Sequence, residues 1–201
     1  MSDHTDKQVP LHDHSIYANV FSFLGLPLSR DVADERVEAV VMGIPYDLGT
    51  SGRPGARSGP SAIRQASANL RWEESRWPWT FSLPDRLRVT DYGDLQFSAG
   101  DSEDMLARVE EHAARITAAG KTLLALGGDH FVTLPLLRGT ASTHGKLALI
   151  HFDAHTDAYA QQEKYDHGCM FYRAPREGLV DPSRSIQIGI RTAYDADDHA
   201  F

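Results

Sequence analysis

Three side chains able to bind metal recur at every second position in the segment LALIHFDAHTDAY, Leu147 to Tyr159: Asp153, His155 and Asp157. Successive side chains of an extended chain point to opposite faces, so this period of two would place all three on one face. They follow an apolar run, Leu147 to Ile150, with the pattern of a buried strand. Polar residues at a strand end often do no more than solvate it. A row of candidate ligands directly after a buried run argues for a metal instead.

His130 adds a fourth candidate, again just after an apolar strand, at the end of LALGGDH. In parallel α/β sheets, sites gather beyond the carboxyl ends of the strands. Two adjacent strands would therefore bring His130 and the Asp153 cluster to one place. Gly127 and Gly128 permit a sharp, close-packed turn there, and Asp129 reads as a cap outside the ligand set. Imidazole with carboxylate and no thiolate suits a borderline-to-hard divalent ion such as Mn²⁺, with Zn²⁺ compatible on ligand type. One carboxylate can bridge two ions roughly 3.5–4 Å apart, an arrangement that generates a hydroxide nucleophile. Further along, KYDHGCMFYRAPREG carries His167 between Asp166 and Gly168. It reads either as a proton shuttle or substrate contact, or as a histidine held in a turn. Cys169 reads as a small buried packing residue, since no Cys-His-Asn arrangement accompanies it.

These residues need elements to carry them. VEAVVMGIPY, Val37 to Tyr46, predicts a buried strand. The following loop holds Gly49, Gly52, Gly55 and Gly59 with Pro54 and Pro60. It lacks both GxGxxG and GK[ST], so it reads as a loop rimming a site rather than a phosphate cradle. Ser58 or Ser61 is placed to cap a helix starting near Pro60. NLRWEESRWPWTFSLPD, with all three tryptophans, predicts an irregular packed segment, and RLRVTDYGDL a short strand with a turn formed by Asp91 and Asp94. The apolar spacing of Met105, Val109, Ala113 and Ile116 predicts a helix from Ser102, as cap, to Gly120, with His112 on its surface. Strands follow at Thr122–Leu126, in KLALIHFDAH and at Arg184–Thr192. Strands alternating with helices or long crossovers predict an α/β domain with a parallel sheet.

Bulk properties narrow the function. The chain has 201 residues, 41% of them apolar, enough for one sizeable core. Its net charge of −8 lacks the basic face that nucleic acid requires and suits a cationic substrate. The single cysteine rules out an internal disulfide and fits a reducing compartment. No apolar run approaches membrane-spanning length, so no membrane partner is expected. MSDHTDKQVPLHDH has no apolar signal region, which makes the cytoplasm the expected location. Residues 1–36 read as a leader, in which His4, His12 and His14 sit on a polar tail, and 37–201 as domain.

GIPYDLGTSGRPGARSGPSAIR, LGGDH, FDAHTD and YDHGCMFYRAPREGLV, in this order from about Val37 to Arg191, resemble the ureohydrolase family of arginases and agmatinases. YDHG-MF and NLRWEESRWPW look most like its bacterial agmatinase branch. The resemblance implies a three-layer α/β/α fold and a dinuclear Mn²⁺ centre. His130, Asp153 and Asp157 would hold one ion, and Asp153 and His155 would help hold the other, with Asp153 bridging. His167 matches the active-site histidine of the family. The implied reaction is hydrolysis of agmatine to putrescine and urea in polyamine biosynthesis. Guanidinobutyrase, guanidinopropionase, arginase and formiminoglutamase chemistry are the alternatives, and a homo-oligomer, trimer or hexamer, is the implied assembly.

Two departures stand out. Cys169 occupies a position where agmatinases are expected to have threonine. The later DxDxxDP motif is absent, and Asp195 and Asp197 in DADDHAF lack both its proline and a preceding strand. The chain is therefore expected to hold the first two-thirds of a ureohydrolase domain, with the C-terminal part missing, four of six metal ligands and a sheet edge left open. A non-catalytic metal-binding or assembly chain is the competing expectation.

Overall fold

The computed structural model describes residues 21–72, 75, 77–160 and 163–193. His4, His12, His14, Asp195 and Asp197 lie outside these. Strand β1 (Ala39–Ile44) is wholly buried and runs parallel between β2 (Val89–Asp94) and β3 (Thr122–Gly127). Its β-branched and apolar side chains alternate between two cores. Val40, Met42 and Ile44 join Met105, Val109 and Ile116 of helix α2 (Ser102–Ala118). Val41 faces the other way, with Leu26 and Leu126. Helix α1 (Gly59–Ser67) packs against β1 and β3. Helices α2 and α3 (Thr133–His144) pack tightly on each other. Cores on both faces of a parallel sheet make the layered α/β architecture expected from the alternating pattern.

The expectation of adjacent strands is corrected. β4 (Ile150–Phe152) pairs in parallel with β5 (Ile186–Ile188), not with β3, so the described residues form a three-stranded and a two-stranded sheet. The apolar run before the ligand row is strand only over its last part; Leu147 makes an isolated bridge to Val180. On β4 the burial pattern is inverted from a simple reading. His151 is buried at 5%, whereas Ile150 and Phe152 are exposed, Phe152 at 75%. With Leu124, Ile186 and Ile188 they leave apolar side chains uncovered beside unpaired strand edges.

Local expectations are also adjusted. Asp101, not Ser102, caps α2, accepting the N–H groups of Glu103 and Asp104, while Ser102 shares a hydrogen bond with the Tyr46 hydroxyl at 2.8 Å. Neither Ser58 nor Ser61 caps α1, because a 3-10 turn runs directly into it. Trp77 (94% exposed) and Trp79 are not packed. Asp91 does more than shape a turn: buried on β2, it takes Nε and Nη2 of Arg64 at 2.8 and 2.9 Å, and Asp94 takes Nη1. His112 is half-buried, its Nδ1 accepting from Arg115 and from the Tyr92 hydroxyl.

Candidate metal centre

β3 ends in a turn that only glycine allows. A Cβ on Gly128 would meet the Tyr46 carbonyl oxygen at 2.1 Å, far inside van der Waals contact. This close approach lets Gly128 and Asp129 donate their N–H groups to Ile44 and Tyr46 at 3.1 and 2.7 Å. The turn at the end of β3 is thereby fastened to the end of β1. Asp129 then caps the next turn, accepting from Phe131 N–H at 2.9 Å, and its other oxygen accepts from Gly49 N–H at 2.7 Å. Burial pushes the Asp129 carboxyl up, against the pull of these two donors. His130 follows directly, at the start of the next 3-10 turn.

From the other side, His151 on β4 points inward. Asp153 comes one residue past the strand end, and Asp157 adopts a left-handed backbone, φ 48°. Aspartate is among the few non-glycine residues that tolerate this region. The carbonyl of Asp157 is held by Phe171 N–H at 2.9 Å, at the start of α4 (Met170–Arg176). The two halves meet here. His130 Nδ1 lies 2.5 Å from Asp157 Oδ2 and 3.7 Å from Asp153 Oδ2, and His151 Nε2 lies 3.6 Å from Asp153 Oδ2. Phe171 forms an aromatic wall against both imidazoles, its ring centroid 4.5 Å from that of His151 and 5.7 Å from that of His130.

Three of the four ligands expected from the sequence thus converge. His130, Asp153 and Asp157, joined by His151, present donor atoms all within 4.8 Å of one another. His155 lies apart from this group: its side chain is 55% exposed, with Nδ1 3.4 Å from Asp153 Oδ1. His151 was missed by the sequence reasoning, although it extends the same period-two row by one step upstream, at 151, 153, 155 and 157. Its burial within β4 is what separates it from the exposed member.

The electrostatics favour a cation. Burial opposes ionisation of Asp153, but the His155 N–H, at 2.8 Å from Oδ1, and the His130 and His151 rings outweigh it and hold the carboxyl below the usual range. Burial, and then the neighbouring His130, hold the His151 ring below its ordinary value. Two carboxylates and buried imidazole, with a buried His151 Nε2 that has no hydrogen-bond partner among the described residues, are a donor set that fits a borderline-to-hard divalent ion.

His167 is held by the glycine-rich loop. Its N–H donates to Gly49 O at 3.1 Å, and its Nε2 lies 3.0 Å from Ser51 Oγ. Because Gly49 is itself clamped by Asp129, the β3 turn, the loop and His167 form one connected unit. Cys169 is buried, as expected, and packs in the main core. Burial pushes its thiol up, which suits packing over nucleophilic chemistry.

This geometry can be set beside known proteins. The Arginase family model matches residues 37–201, most of the chain. The chain belongs to the arginase family. Agmatinase from Serratia proteamaculans is 56% identical over 186 residues, 92% of this chain and 61% of that protein. Agmatinase from Neisseria meningitidis serogroup B is 57% identical over 182 residues, 90% of this chain and 59% of that protein. Among solved structures, a hypothetical agmatinase from Burkholderia thailandensis superposes with a TM-score of 0.84 at 45% identity, covering 92% of this chain and 58% of that one. Proclavaminate amidino hydrolase from Streptomyces clavuligerus does so at 0.77 and 35%, covering 93% and 62%. This arginase-family chain therefore has the arginase-like α/β fold with parallel strands, and spans about three-fifths of the length of the curated relatives it matches. Among its described residues no helix is long and apolar enough to cross a membrane.

Proposed function

We propose that the full-length protein to which this chain belongs carries out the Mn²⁺-dependent hydrolysis of agmatine to putrescine and urea, in polyamine biosynthesis in the cytoplasm, as a homo-oligomer. The observation that carries the reading is the convergence of His130, Asp153 and Asp157, from two separate sheets, on one point. The similarity to agmatinases supports the choice of substrate. The net charge of −8 suits a cationic guanidino compound.

In this reading His130, Asp153 and Asp157 would hold one Mn²⁺, and Asp153 with His155 would help hold a second. When bound, such a pair supplies Lewis-acid activation of water for attack on a guanidinium carbon. The chain's own groups do the rest. Asp153 is fixed by the His155 N–H so that its second oxygen faces His130. Phe171 walls the imidazoles off from water on one side. His167 would carry a proton to the departing amine or contact substrate, with Ser51 Oγ beside its ring.

Urea release by the full-length protein from agmatine, arginine and 4-guanidinobutyrate, each with Mn²⁺, tests the reading. Agmatine is expected to be preferred, and a strong preference for arginine would overturn it. A second reading, a non-catalytic metal-binding or assembly chain, is favoured by one observation. Among the described residues this is the one cluster of three or more metal-ligating side chains, and the family resemblance calls for two further aspartates. Mn²⁺ binding with no urea from any of the three substrates would establish that second reading.

A further inference from the structure

Asp129 adjoins His130, yet its carboxylate is outside the metal-capable cluster, and both of its oxygens are taken by backbone donors. The two bonds differ in kind. Oδ1 accepts from Phe131 N–H at 2.9 Å, two residues on, which is a local cap of the turn carrying His130. Oδ2 accepts from Gly49 N–H at 2.7 Å, 80 residues away in the chain. The carbonyl of Gly49 in turn accepts from His167 N–H at 3.1 Å. One glycine therefore ties the residue beside a candidate metal ligand to the backbone of His167. The fit is close: a Cβ on Gly49 would meet Asp129 Oδ2 at 3.0 Å and the Phe131 Cβ at 3.1 Å. Phe131 adds a second strut, its ring edge-on to that of Tyr165 with centroids 6.0 Å apart, two residues before His167. The same segment is also fixed to the ligand row, where Tyr159 N–H donates to Gly168 O at 3.1 Å and Phe171 N–H to Asp157 O at 2.9 Å.

A cap alone does not need aspartate, since asparagine caps as well. The second acceptor oxygen is what the carboxylate adds. An asparagine whose oxygen caps Phe131 would face Gly49 N–H with its own amide nitrogen, donor against donor. We propose that Asp129 is a positioning residue for His167, acting through Gly49 to fix the backbone of His167 relative to the β3 turn that carries His130. This deepens the functional reading above and rests on it for what His167 does. Proton transfer and substrate contact both need groups held within hydrogen-bond reach, so such a clamp acts on turnover.

Amide hydrogen exchange in the full-length protein tests the clamp directly. In Asp129→Asn, exchange at Gly49 and His167 is expected to quicken by about tenfold relative to the core amide of Val40, while Phe131 keeps its protection. Gly49→Ala leaves the carboxylate charge in place but crowds it, and is expected to quicken exchange at His167 as well. Unchanged exchange at His167 in Asp129→Asn overturns the proposal. A change in Asp129→Asn alone would assign the effect to charge and overturn the clamp. Turnover of agmatine at saturating Mn²⁺ then separates the two ends of Asp129. Asp129→Asn is expected to lower kcat by about tenfold. In a His167→Ala background it is expected to change kcat by less than about twofold, because the path runs through His167. The same loss in both backgrounds would place the effect at His130 and overturn the positioning role. If the full-length protein releases no urea from agmatine, the functional reading fails, and exchange at His167 alone decides whether Asp129 holds it.

Discussion

Asp47 and Asp129, outside the metal-capable cluster, fix the loop and turn beside it. Asp129 reaches from the β3 turn to Gly49, while Asp47 folds the rest of the same loop around itself. It accepts from Arg57 Nε at 2.6 Å and Gly55 N–H at 2.7 Å. The Arg57 guanidinium, ahead of these backbone donors, holds the Asp47 carboxyl at about 2. The fold thus favours the ionised form. Its contribution to stability is complete above the ordinary aspartate value of 3.8 and is lost as pH falls through about 2. A carboxyl-detected NMR titration should place the Asp47 midpoint at about 2, and a midpoint near 3.8 would show that the Arg57 pairing does not hold in solution. At this scale the sequence was legible in type but not in direction. His130, Asp153 and Asp157 were evident as candidate ligands because the residue types and the strand ends were visible. His151 and His155 share the same spacing, and only burial separates the inward imidazole from the outward one.

Among the elements, the β3 turn and the N-terminus of α2 carry the sharpest expectations. Gly128 has backbone on the side where a Cβ would go, so Gly128→Ala must push the β3 turn away from Tyr46. A cost of about 3 kcal/mol is expected, at the upper end for overpacking, together with weaker Mn²⁺ binding because His130 moves with the turn. An unchanged denaturant midpoint would show that the turn yields freely. For α2, Asp101→Ala should cost about 1 kcal/mol, the usual worth of an N-cap, and more than Ser102→Ala. Equal losses in thermal melts would return the capping role to Ser102. The helix itself was plain from its apolar spacing, and Gly120, φ 73°, stops it as expected. The exact cap was not, since Asp101 and Ser102 are both good caps and the choice depends on Tyr46, a residue distant in sequence.

For the whole molecule, the decisive feature is that the candidate metal cluster is shared by two sheets whose strands do not pair with each other among the described residues. Leu124, Ile150, Phe152, Ile186 and Ile188 remain exposed there. Apolar side chains beside open strand edges invite association. The 201-residue chain should therefore bind a hydrophobic dye and self-associate in light scattering. Phe152→Lys should reduce both while shifting stability by less than about 0.5 kcal/mol, as expected for an exposed position. A parent chain that stays monomeric and dye-silent at high concentration would contradict this.

By itself the sequence determined the family, the parallel α/β class, the buried strands and most of the candidate ligands. Each of these is written in local order, as an apolar run, a glycine pair, or an imidazole and carboxylates at a strand end. Tertiary structure alone decided which of these groups meet. The pairing of β4 with β5 rather than β3, the left-handed turn at Asp157 and the Gln187 contact to His151 involve residues 20 to 58 positions beyond His130. No spacing rule reaches that far, because strand order is set by which apolar faces can be covered in three dimensions and not by the neighbours of any one residue.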